Sequence, residues 1–174
     1  TLNGNYPNFT LASNYFRKEG FPLWSFSQGM GENIMWPTLT DPFFIIVFLV
    51  GTQNIAPAII WMELVKLIVT GIIFYKFLKL WDLSFPAISI GTILYCFSGF
   101  MIVGGSWYQY STEGCYLAFL LLAFELLYRR NTWYLFPLAI ALFAVCQPFN
   151  IWLYGMFVFL YFLFRHITSE NPTW

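Results

Sequence analysis

Chemistry in this chain starts with a few ionisable side chains set in apolar surroundings. Glu63 and Lys66 stand at i, i+3 inside a long apolar run and share one helical face. Charged groups at membrane depth are costly, so such a pair is a functional candidate by default. Two readings stand: a self-neutralising pair that orients its helix, or a lysine reaching an anionic headgroup or phosphate from an outward-facing cavity. Counting along the helix from Pro57 puts Lys66 near the middle of the bilayer and Glu63 in its outer half. Further acids precede or open apolar runs. Asp41 stands directly before Pro42, the order of an N-cap and first helical residue, and is read as a cap. Glu113 follows Ser111 and Thr112, where a carboxylate suits the start of a helix or a site. Glu32 lies in a glycine-flanked loop with no capping duty. Arg17 and Lys18 are the basic residues of the leading segment and could meet a phosphate at the membrane surface. Trp24, Trp36, Trp107, Tyr108 and Tyr110 could stack on sugar rings, or serve as an interfacial aromatic belt. Glu125 and Arg129 at i, i+4 read as an interfacial ion pair.

The elements that must carry these residues are membrane helices. Of the 174 residues, 59% are hydrophobic and 9% charged, and mean hydropathy is +0.66. Soluble domains carry about 25% charged residues, so a soluble enzyme, a disordered tail and a disulfide scaffold are excluded. The net charge of +0 gives no basic footprint for nucleic acid. Cys96, Cys115 and Cys146 form no metal-binding spacing, and the lone His166 adds no zinc partner. The cysteines read as small residues packed between helices. No cofactor motif is present, and no cofactor is expected; use of a divalent metal is compatible with the sequence.

Residues 1–41 are rich in Asn, Gly and Pro and read as an extracytoplasmic loop with one short helix near Thr10–Lys18. Residues 42–54 hold an apolar run, Phe43–Val50, too short to span a bilayer, and read as a re-entrant or interfacial half-helix closed by a turn. Residues 55–165 hold five apolar runs: Pro57–Leu78, Pro86–Val103, Thr112–Tyr128, Thr132–Gln147 and Asn150–Phe164. None alternates as a transmembrane strand would, so the fold class is an all-α, polytopic helical bundle. Gly91, Ser98, Gly99, Gly104 and Gly105 mark the second run as one that neighbours approach closely. Lys76 and Lys79, Arg129 and Arg130, and Arg165 and His166 all fall on one side if the five runs alternate. The positive-inside rule makes that side cytoplasmic, with residues 166–174 as a cytoplasmic tail and residues 1–41 outside. The leading residue is Thr1, so the sequence is expected to begin within a loop, downstream of a helix that brought the chain across.

The run Phe21-Pro-Leu-Trp-Ser-Phe-Ser-Gln-Gly-Met-Gly31, then Asp41-Pro-Phe43 and a short apolar segment, resembles the YfhO family of bacterial membrane proteins. So do Glu63-Leu-Val-Lys66, Tyr95-Cys-Phe-Ser-Gly-Phe-Met101 and the aromatic loop Trp107-Tyr-Gln-Tyr110. That family looks like GT-C glycosyltransferases. The resemblance implies a polytopic enzyme moving a sugar from a polyprenyl-phosphate donor to a cell-envelope polymer on the outer face of a bacterial membrane. It also implies a family catalytic acid at the start of the first external loop, upstream of Thr1. Within this sequence it directs attention to Glu32 and Glu113 as carboxylates serving acceptor or sugar. Arg17 and Lys66 become the cations facing phosphate, and Trp24, Trp107 and Tyr110 the sugar-stacking aromatics. A transporter or flippase segment is the alternative, favoured by the half-helix and the intramembrane Glu63 and Lys66. A non-catalytic scaffold is the third reading.

Overall fold

The computed structural model describes residues 5–20, 24, 26, 30–31, 41–104 and 109–168. All regular structure among them is helical. Helix α1 (Asn5–Glu19) is longer than the short helix expected within the leading loop. Phe9, Ala12, Ser13 and Phe16 recur at helical spacing along one side, and this face packs on α2 (Ile45–Val50) and the start of α3 (Ile55–Lys79). The rings of Phe9 and Phe44 meet at 4.9 Å, and Phe16 stacks on Phe48 at 5.8 Å. The gain from covering these aromatics, about 1.5–3 kcal/mol for each fully buried ring, explains why so breaker-rich a stretch orders at all.

The expected half-helix is present as a 3-10 turn, Pro42–Phe44, running into α2. Gly51 ends it at φ +86° and ψ 166°, a region essentially reserved for glycine. A Cβ there would also stand 2.5 Å from the Arg17 guanidinium, which donates to the Leu49 carbonyl at 3.4 Å and so closes the C-terminus of α2. Gly51→Ala is therefore expected to cost about 1–3 kcal/mol. Chemical denaturation of the micelle-bound protein measures it, and a change within 0.5 kcal/mol, roughly what an unremarkable surface site gives, would refute the account of this turn.

Among the described residues, four helical segments are long and apolar enough to cross a membrane: Thr52–Lys79, Phe85–Val103, Tyr110–Arg130 and Ile151–Thr168. The fourth of the five expected runs is a helix too, α7 (Leu135–Cys146), but shorter than a full span. Its 12 residues extend only about 18 Å. The second span breaks at Phe97–Ser98 into α4 (Phe85–Cys96) and α5 (Gly99–Gly104), where the Ser98 hydroxyl accepts from the Met101 amide and caps α5. Gly91 is closely approached, since a Cβ would meet Leu78 at 2.9 Å, but Gly99 faces open space. The tightest small-residue contact falls outside the expected set: Gly114 of α6 (Gln109–Arg130) admits Met101, whose sulfur would lie 2.3 Å from a Cβ. Helix α6 is the centre of the bundle, packed on α3, α5 and α7, and it buries 72% of its spanning window. Helix α8 (Ile151–Thr168) lies at the edge, with Val158 its one buried residue. All three cysteines are buried and free, so Cys115 and Cys146 form no disulfide.

Candidate functional site

The first turn of α6 brings the polar residues together. Lys66, on the middle of α3, has no exposed surface. Its Nζ lies 3.3 Å from Asp41 Oδ2 and donates to Glu63 Oε1 at 3.2 Å and to Ser111 Oγ at 3.4 Å. Ser111 in turn donates to Glu63 Oε1 at 3.3 Å, and the Thr112 hydroxyl donates to Asp41 Oδ2. The other Asp41 oxygen accepts from the Phe43 amide at 3.0 Å. Asp41 thus caps the Pro42 turn, as its position before proline predicts, and pairs with a lysine 25 positions on. The rings of Phe43 and Phe44 cover the ammonium at 5.7 and 5.5 Å.

Glu113, the next residue of α6, is likewise buried but points to α8. Asn150 Nδ2 donates to both its oxygens at 3.2 Å, and the Tyr154 hydroxyl donates at 3.0 Å. No cation pairs with it among the described residues. Three consecutive side chains, Ser111, Thr112 and Glu113, therefore tie the turn before α2, the middle of α3 and the start of α8 to one point. Lys66 lies roughly 20 Å along α3 from its Lys79 end, and Glu113 stands near the opposite end of α6 from Arg130.

A second ionic cluster occupies that far end. Glu125, fully buried on α6, accepts from Arg129 Nε at 2.9 Å, from Arg165 Nη2 at 3.3 Å and from the Tyr161 hydroxyl at 2.6 Å. Both guanidinium groups lie over the Trp81 ring, at 5.2 and 4.6 Å. The expected Glu125–Arg129 pair is thus half of a cluster that α8 completes through Arg165. Because Trp81, Arg129 and Arg165 touch, the basic ends of the first, third and last spans share one end of the bundle.

The remaining sequence candidates fall elsewhere. Arg17 binds the Leu49 carbonyl and forms no ion pair with the acids that hold Lys66 among the described residues. Trp24 is half-exposed beside Phe26 and Gly31. Tyr110 is partly exposed one turn before Glu113, with its ring 6.2 Å from that of Phe100. Glu32, Trp36, Trp107 and Tyr108 lie outside the described residues. Asp41 is the site residue that capping logic undervalued. The available signal was a buried lysine needing a counter-charge beyond its own helix. No group of three or more potential metal ligands occurs among the described residues.

A polytopic helical bundle with carboxylates and a lysine buried near one end of its central helix defines a membrane-embedded protein with an internal polar site. The profile of the family described as bacterial membrane protein YfhO matches residues 8–174, and the chain belongs to that family. No curated protein and no solved structure matches it.

Proposed function

We propose that this chain contributes to a membrane glycosyltransferase of GT-C type that takes a sugar from a polyprenyl-phosphate donor and places it on a cell-envelope polymer at the outer face. The observation that carries the reading is the convergence of Asp41, Lys66, Glu63 and Glu113 on the first turn of α6, toward one end of the membrane helices. A lipid-linked donor presents its phosphate and sugar at the membrane surface, and the start of α6 that carries Glu113 lies toward an end of the helices. Transfer forms a bond from an acceptor oxygen to the anomeric carbon and breaks the bond from that carbon to phosphate. The bonding pair leaves with the lipid phosphate, and the hydroxyl proton passes to a carboxylate. Glu113, oriented by Asn150 and Tyr154, is the proposed acceptor-side carboxylate, with Glu32 as its partner in the loop. Lys66 supplies positive potential where phosphate charge develops. Its own ion pairs hold it in place, and Arg17 is the proposed surface cation. Trp24, Trp107 and Tyr110 are the proposed sugar-facing aromatics. In this reading the basic end of the bundle faces the cytoplasm.

Glu113→Gln keeps shape and removes the proton acceptor. In vesicles supplied with a polyprenyl-phosphate sugar and acceptor glycan, it is expected to slow transfer by about 10²-fold at unchanged expression. Wild-type transfer rates would remove Glu113 from the site. Movement of intact donor across the vesicle with no transfer by the wild type would favour a transporter, the reading to which the ion pair within α3 also lends itself.

A further inference from the structure

At the end of the bundle away from Lys66, a groove of about 780 Å³ runs between the last turns of α3 and α6. Lys76, Lys79, Arg129 and Arg130 stand around it, and Asp82 is the one acid among the described residues of its lining. Arg129 is engaged with Glu125, whereas Lys76, Lys79 and Arg130 are exposed and enter no ion pair among the described residues. Cations at a helix C-terminus are favourable by themselves, so their presence alone says little. Their convergence on one cavity from two helices is the informative feature. Below them the wall is apolar and reaches into membrane depth, formed by Phe119, Leu122 and Leu126 of α6 with Ile73 of α3. A soluble anion would leave that wall uncovered. A molecule with an anionic head and hydrocarbon tails matches both halves.

We propose that this groove binds one anionic phospholipid of the surrounding bilayer, its phosphodiester among Lys76, Lys79 and Arg130 and its acyl chains along Phe119, Leu122 and Leu126. The site is independent of the transfer reaction proposed above, and its test does not use activity. The whole protein is reconstituted in phosphatidylcholine bilayers containing phosphatidylglycerol, extracted gently and weighed by native mass spectrometry. One phosphatidylglycerol is expected to stay with each chain. A basic residue near an anionic surface is worth about fivefold in affinity, so Lys76→Gln with Arg130→Gln is expected to weaken retention about 25-fold. Lys18→Gln, the same kind of change on α1, is expected to leave it unaltered. Leu126→Trp fills the groove without touching a charge and is expected to abolish retention, and glycerol phosphate is expected not to compete. Retention that survives the double variant, or that falls equally with Lys18→Gln, overturns the proposal, as does displacement by glycerol phosphate. If Leu126→Trp folds, as its helical circular dichroism would report, and still retains lipid, the groove is not the site. If it does not fold, the exposed charge variants decide alone.

Discussion

Lys66→Met is expected to destabilise the protein by about 3–5 kcal/mol, the cost of removing one partner from a buried ion pair. The size follows from what stays behind. Asp41 is 2% exposed and would lose its only cation among the described residues, keeping the Phe43 amide and the Thr112 hydroxyl as donors. Glu63 is the lesser loss, because its side chain keeps 21% of its surface and can draw on water. Methionine matches the lysine stem in length and still fills the space beneath Phe43 and Phe44, so the effect isolates charge from volume. The turn before α2 should loosen from α3, since Asp41 is the ionic link between them, beside the apolar cluster that Phe44 shares with Ile55, Ala58 and Met62. Thermal or denaturant unfolding in micelles measures the loss. Adding Asp41→Asn to Lys66→Met should recover more than half of it, because no unpaired carboxylate then remains on that side. A loss below about 1 kcal/mol, the scale of an exposed ion pair, would show that the cluster is hydrated and weak, and would remove the electrostatic basis of the proposed site.

Glu125→Ala is the second large effect, again about 3–5 kcal/mol, and it should act on α8. That helix has one buried residue, Val158, so its attachment leans on Arg165 and Tyr161 meeting Glu125. Without the carboxylate two guanidinium groups are left beside Trp81 with no acid paired to either among the described residues. The side chain of Arg129 is 31% exposed and can turn to water, while that of Arg165 is 14% exposed and cannot do so as readily. The lower half of the range is therefore expected. Glu125→Gln keeps an acceptor for Tyr161 and should cost less than alanine. Unfolding measurements combined with thiol labelling at a cysteine placed at Phe162 would report both stability and release of α8. Equal stability of the alanine and wild-type proteins would show that α8 is held by lipid, by apolar contacts and by the Asn150 and Tyr154 bonds to Glu113, without Glu125.

The membrane class, the helical fold and the separation of cations were legible in the sequence, because each depends on local chemistry. A bilayer forces every apolar run of sufficient length into a helix, whatever its neighbours, and all five expected runs are helical. The weaker local signals misled. The breakers of the leading segment hid only the extent of α1: the helix expected near Thr10–Lys18 begins at Asn5, since its aromatic face finds Phe44 and Phe48 only once the chain has folded back. Gly99 resembles a packing glycine but faces open space, while Gly114, which admits Met101, carries no distinguishing neighbour in sequence.

The sequence by itself determined which residues are expensive to bury: Lys66, Glu63, Asp41, Glu113 and Glu125. Only the tertiary structure decided how that expense is met. Partners at separations of 25, 45 and 71 positions, as in Asp41 with Lys66, Lys66 with Ser111, and Asp41 with Thr112, are set by how helices cross. Periodicity along one helix carries no information about that crossing. The physical reason is range. Partition of an apolar run into the bilayer and its backbone hydrogen bonding act within a segment, whereas an ion in a medium of low dielectric is satisfied only by whichever opposite charge the packing brings within a few ångströms.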